Sequence, residues 1–223
     1  MRLAHHLHDT LMAARASNNL ASAVHLRGDL AGALGLYRSA LLGFQRVGDR
    51  HYIAETYHNL GLTFRQAAEW REAENASAQA VRHAEVVGDL ALMALAMTGR
   101  AELRIHLGEV AQAFHELERA ARLAEEAGDE IGGAEIGRIR ALAALRQRDY
   151  GAAAKEAETA LSVATRFGSL LLAGECAAAA HAHRGLGRAE LAERRREEAL
   201  EGFRKLGAVR LLERFEAEWS EEG

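Results

Sequence analysis

Glycine-aspartate pairs recur along this chain at a forty-residue step: Gly48-Asp49, Gly88-Asp89 and Gly128-Asp129, with Gly168-Ser169 continuing the series. His8-Asp9 stands forty residues before the first pair, and Gly207 follows Gly168 by thirty-nine, so the last unit has lost one residue. A glycine at a helix end supplies the left-handed backbone that stops the helix. An aspartate or serine after it accepts hydrogen bonds from the first amides of the next helix. Asp9, Asp49, Asp89, Asp129 and Ser169 are therefore expected as five helix starts. A second set of breaks falls midway, at Gly28-Asp29, Ala68-Glu69, Gly108-Glu109, Arg148-Asp149 and Gly187-Arg188. Each unit is thus two antiparallel helices of roughly eighteen residues, each about 27 Å long at the usual helical rise.

Small residues fix the phase. Ala21, Gly61, Ala101, Ala141 and Ala180 share one position in the first helices. Ala33, Ala73, Ala113, Ala153 and Ala192 share one in the second helices, and Ala40, Ala80, Ala120, Ala160 and Ala199 another. Small side chains where helices cross let the backbones approach closely. The expected fold is all-α: a right-handed α-solenoid of five antiparallel helix pairs in a single domain spanning 1–223. The repeats run at about 10–48, 49–88, 89–128, 129–168 and 169–207. A capping helix follows over 208–220, where Leu211, Leu212, Phe215 and Trp219 fall at helical spacing opposite a face of Arg and Glu. Met1 to His8 align with the end of the helix that closes at Val47, which fits either the tail of a preceding repeat or a ragged helical start.

Composition agrees and excludes several function classes. Proline is absent, aromatics are 5%, and the strong helix formers Ala, Leu, Glu and Arg dominate. With 28 basic and 32 acidic residues there is no one-sided basic footprint for nucleic acid. Lys155 and Lys205 are the only lysines; this arginine bias fits a GC-rich, bacterial genome, and thermal adaptation would give the same. The single Cys176 excludes an internal disulfide and fits a reducing compartment. No signal-peptide pattern opens the sequence, and no apolar run approaches the eighteen or so residues of a spanning helix. A cytoplasmic protein without membrane contact is expected.

Sequence chemistry gives no reason to expect catalysis. His5, His6 and His8 cannot converge on a metal from adjacent helical positions about 100° apart, nor can His181 and His183, two residues apart. Cys176 sits among small residues as a core thiol. The glycines are helix stops at the repeat spacing and form no phosphate-cradling loop. Arg194-Arg195-Arg196, flanked by glutamates, reads as a solvated run, and Trp70 and Tyr150, at equivalent second-helix starts, read as packing residues. No nucleophile stands with a base, so neither an enzyme nor a cofactor is expected.

Leu20-Ala21, Gly28, Ala33, Tyr37 and Ala40, then Leu60-Gly61, Phe64, Trp70, Ala73 and Ala80, resemble the tetratricopeptide repeat pattern. The resemblance extends over residues 10 to 206. The period of forty in place of thirty-four, and Gly-Asp in place of the closing proline, look like the longer arrays of bacterial transcriptional activators and kinesin light chains. Arg100 and Arg140 depart from the pattern by replacing the apolar residue at Leu20 and Leu60. HEAT and armadillo repeats have similar periods, but their usual proline kink is absent and the small-residue columns fit them less well.

The resemblance implies a concave face of first helices that holds a peptide. Carried over by column, it offers Arg15, Asn18, Asn19 and His25 in repeat one, and Glu55, His58, Asn59 and Arg65 in repeat two. Thr98, Glu102 and His106 follow in repeat three, Glu135, Arg138 and Arg146 in repeat four, and His181 and Arg184 in repeat five. Asn19 and Asn59 match the column where related arrays hydrogen-bond a peptide backbone, donor and acceptor at once. The clamp for a C-terminal carboxylate is not reproduced, because Leu95 and Gly99 stand where cations should lie. On this face Arg15, Arg65, Arg100, Arg138 and Arg184 slightly outnumber the acids, which predicts a preference for peptides with some acidic residues. Protonation of His25, His58 and His106 would give a switch near pH 6.5, against the alternative of surface histidines without a role. The expected partner is a protein or peptide of unknown identity, and the resemblance implies a role as the sensor or interaction part of a bacterial regulator. A homodimer-forming assembly unit and a small-molecule inducer sensor are the competing functions.

Overall fold

The computed structural model describes the backbone of residues 2–169 and 178–221, and side chains from residue 9. His5, His6, His8 and Cys176 therefore lie outside the described side chains. Among the described residues there are eleven helices: α1 Arg2–Leu26, α2 Leu30–Val47, α3 Arg50–Gln66, α4 Trp70–Val87, α5 Leu90–His106, α6 Val110–Ala127, α7 Glu130–Arg146, α8 Tyr150–Arg166, α9 Ala178–Gly185, α10 Ala189–Leu206 and α11 Val209–Glu221. They fall into two compact units, Met1–Leu103 and Arg104–Gly223.

Helix ends follow the local chemistry. Gly48, Gly88 and Gly128 take φ of +79°, +74° and +67°, which an L side chain rarely adopts. The aspartates after them turn their carboxylates back on the next helix: Asp49 Oδ1 accepts from Tyr52 N at 3.2 Å, Asp89 Oδ1 from Leu92 N at 3.0 Å and Asp129 Oδ1 from Gly132 N at 2.9 Å. Asp29 and Asp149 cap α2 and α8 in the same way. Asp9 breaks the series. It lies inside α1, which runs unbroken from Arg2, because His8 precedes it where the other starts have a left-handed glycine. Of Ser169, the helix it was expected to start lies outside the described residues.

At two midway breaks the left-handed residue is not glycine: Ala68 has φ +58° and Arg148 +59°. A Cβ in this region costs roughly 1 kcal/mol. Ala68→Gly and Arg148→Gly are therefore each expected to stabilise the chain by about 0.5–1 kcal/mol, read as a higher urea midpoint at unchanged m.

All three small-residue columns are buried. Ala21, Ala33, Ala40, Ala101, Ala113, Ala120, Ala141, Ala153 and Ala180 have no exposed surface. Gly61 makes the point sterically: a Cβ there would lie 2.9 Å from Ser77 Oγ and 3.5 Å from Ser77 N on α4. Larger side chains fill the layers between the columns. In the first unit Phe44 of α2 packs with Ala14, Ala40 and Ile53 and stacks on Tyr52 at 4.9 Å. In the second, Leu211 and Phe215 of α11 close over Ala180, Leu200 and Phe203, as the apolar face of VRLLERFEAEW required.

Equivalent positions differ in burial. Leu20 is 53% exposed where Leu60, its equivalent, is 4% exposed, so the column that Arg100 and Arg140 interrupt is not a core column throughout. Trp70 is 41% exposed, whereas Tyr150 at the equivalent position lies against Gly185, whose missing side chain makes room for its ring.

Candidate functional site

In the first unit the polar residues of the first helices mostly meet one another. Asn18 is buried, and its Oδ1 lies 3.5 Å from the Thr56 hydroxyl, which donates to the Tyr52 carbonyl at 2.6 Å. Asn18 also hydrogen-bonds the Glu55 carboxyl, whose pKa burial lifts above the ordinary range against the opposing pull of His51 and Asn18. One turn pair further on, Thr63 donates its hydroxyl hydrogen to the Asn59 carbonyl at 2.8 Å. His25 Nδ1, 2.9 Å from Thr63 Oγ1, must then be the donor to it, which fixes the Nδ1–H tautomer. Arg65 and Glu102 form an ion pair at 2.6 Å with both side chains about nine-tenths covered. His58 folds over Gly99, where a Cβ would come within 2.6 Å of the ring.

What stays open on this face is smaller than the sequence suggests. Arg15 is exposed and lies over the Tyr52 ring at 4.6 Å. Asn19 is exposed and Asn59 half-buried, on equivalent positions of α1 and α3, and neither side chain hydrogen-bonds another described residue. These three are among the open polar side chains of α1 and α3.

The second unit is wired differently. Arg138 is buried and holds Glu135 through two hydrogen bonds, at 3.0 and 2.6 Å. His106 and Arg146 face each other at 3.4 Å. Arg184 donates to the Trp219 carbonyl at 2.7 Å and stacks on that ring at 4.0 Å, and His181 meets the same ring and Phe215 edge-on, so α11 covers both. His183, also buried, pairs through Nε2 with Glu158 at 2.9 Å, and Arg195 grips Glu158 at 2.7 and 2.6 Å. Burial pushes the Glu158 carboxyl up, but these hydrogen bonds outweigh it and hold its pKa below the ordinary range. Arg195 is thus no part of a solvated run. Among the described residues, no group of three or more His, Cys, Asp or Glu side chains is placed to hold a metal ion, and no helix is long and apolar enough to cross a membrane.

Residues 12–85 match the tetratricopeptide repeat family. That stretch, a third of the chain, is similar to tetratricopeptide repeats. Among solved structures, the chain is similar to the nearly identical TPR-like repeats of a Podosopora anserina protein of kinesin light chain type. The two share 16% identity at a TM-score of 0.55, over 87% of this chain and 95% of that one, a likeness of fold. A search of curated proteins finds no match. The matched tetratricopeptide segment contains α2 and α3 and most of α1 and α4, the helices that carry Arg15, Asn19, His58 and Asn59.

The polar contacts between neighbouring first helices leave a signal in the sequence that the columns miss. Asn18 and Thr56, and His25 and Thr63, are 38 residues apart. Arg65 and Glu102 are separated by 37. The face one helix turns to the next is offset from the equivalent position by two or three residues, so complementary polar residues at that spacing mark the pairs. Tyr52, Thr56 and Thr63 are the functional neighbours that column-by-column reading omits.

His25 does not titrate near pH 6.5. Burial, and then the Arg65 guanidinium, push its pKa down to about 4. The folded chain therefore favours the neutral ring, while the unfolded chain takes up a proton as pH falls below about 6.5. Stability is complete above that pH and is lost between about 6.5 and 4, by up to about 3 kcal/mol. In urea titrations at pH 7 and pH 4.5, His25→Gln should lose clearly less stability than the parent chain, and equal losses would contradict the assignment.

Proposed function

We propose that the chain is a protein-interaction scaffold that holds a peptide segment of its partner on the first-helix face of the first unit. The single observation that carries this reading is the pair Asn19 and Asn59: equivalent positions on successive first helices, with side-chain amides that are not spent on other described residues. An amide offers a donor and an acceptor to a peptide backbone without selecting its sequence. Arg15, steadied on Tyr52, adds a fixed cation beside them. Asn18, His25, Arg65 and Glu102 support the face by joining α1, α3 and α5, and Arg138 and Arg184 are already paired in the second unit. With Arg65, Arg138 and Arg184 already paired, the affinity for acidic peptides rests on Arg15.

The test is selection of peptides from a random display library on the whole chain, followed by calorimetric titration of the best binders. Two lost backbone hydrogen bonds correspond to about 2 kcal/mol, so Asn19→Ala/Asn59→Ala should weaken binding by roughly thirtyfold with helicity unchanged. Binders whose affinity is indifferent to that double substitution would place recognition elsewhere.

A further inference from the structure

The face of α1 that points away from α3 is apolar and uncovered. Tyr52, Thr56, Leu60 and Thr63 of α3 occupy the positions forty residues after Met12, Ala16, Leu20 and Ala23 of α1. In α3 this face is shielded: Thr56 and Thr63 have no exposed surface and bond toward Asn18 and His25, and Leu60 is in the core. In α1 the same face is open, with Met12 51% and Leu20 53% exposed and Ala13, Ala16 and Ala23 exposed beside them. Its chemistry has also changed. The two threonine hydroxyls that interlock α3 with α1 are replaced by Ala16 and Ala23, which leaves the stripe apolar along its length.

Charge marks what it does receive. Asp9 and Arg27 are eighteen residues apart, which is five helical turns, so they lie on one line along α1 about 27 Å apart. Both are exposed, neither forms an ion pair with another described residue, and the apolar stripe runs between them. A helix with an acid at one end of an apolar stripe and a base at the other is complementary to itself when antiparallel.

We propose that α1 is the contact by which two copies of this chain pair about a two-fold axis. Asp9 then faces Arg27 of the second copy, Ala13 faces its Ala23, and Ala16 faces its Leu20. Large meets small at the centre, both ion pairs form at the rim, and the apolar face is removed from water.

Sedimentation equilibrium on the intact chain tests this directly, with circular dichroism to confirm that each variant is folded. The parent chain should be dimeric. Leu20→Glu, which enters the contact twice by symmetry, should weaken the dimer by at least about a hundredfold. Asp9→Arg and Arg27→Asp should each weaken self-association about tenfold, because each places like charges opposite one another. Mixing those two variants should restore a dimer of parental strength, since every rim contact in the mixed pair is again between opposite charges. In a parallel register the parental pairs would themselves be like-charged, so weakening by both single substitutions together with that recovery marks the antiparallel register, independently of Leu20. A parent chain monomeric at its highest soluble concentration, a dimer indifferent to Leu20→Glu, or a mixture no tighter than its components would each overturn the proposal.

Discussion

Replacing Arg65 with methionine is expected to destabilise the chain by about 3–5 kcal/mol, the largest loss foreseen for any polar position. Arg65 leaves α3 and Glu102 leaves α5, and they meet at 2.6 Å with 10% and 8% of their side chains exposed. Charges that far from water are tolerable only as a pair. Removing one leaves the other desolvated without its counter-charge, which costs far more than the pair contributes net. The double variant Arg65→Met/Glu102→Leu should accordingly recover most of the loss, because two apolar side chains of similar length restore packing and leave no stranded charge. Urea denaturation of the four chains in this cycle gives the coupling directly. A single-variant cost below about 1 kcal/mol would mean that solvent screens the pair as it does a surface salt bridge.

Phe44→Ala is expected to cost a further 3–5 kcal/mol when made alone. Phe44 has no exposed surface and stacks on Tyr52 with rings 4.9 Å apart and 13° from parallel. It belongs to α2 and Tyr52 to α3, so the stack is a seam between the first helix pair and the second. Truncation leaves a cavity lined by Ala14, Ala40 and Ile53, and alanines cannot move inward to fill it. Tyr52 also carries Arg15, so the loss should reach the accessible first-helix face as well as the core. Phe167→Ala is the control. That ring is 51% exposed, and its removal should change stability by no more than about 0.5 kcal/mol. Comparable losses at the two positions would contradict the assignment of Phe44 to a seam.

Repetition made the scaffold readable. Gly48-Asp49, Gly88-Asp89 and Gly128-Asp129 are simultaneously a conformational requirement and a hydrogen-bonding requirement, and such double constraints survive in sequence as fixed residue types. The alanine columns are legible for the same reason, since nothing larger fits where helices cross. Asp9 shows the limit: an aspartate without the preceding glycine is a helical residue, and the period alone does not distinguish the two. The first-helix face was harder. Column equivalence places Asn18, His25, Arg65 and Glu102 beside Asn19 and Asn59, but it does not say which of them a neighbouring helix has already engaged. That depends on an offset of two or three residues and on the reach of long side chains, as with Arg65 to Glu102. Burial of His25, which moves its titration to about pH 4, is likewise a property of the packed pair of helices and not of the residue.

Partner recognition is proposed on α1 and α3, around Asn19 and Asn59. Hydrogen-deuterium exchange of the intact chain, with and without a display-selected peptide, tests that placement without assuming which side chains matter. Protection should appear in peptic fragments covering 15–26 and 55–66 and be lost in the Asn19→Ala/Asn59→Ala chain. Protection confined to the second helices α2 and α4, or to the unit beyond Leu103, would contradict it.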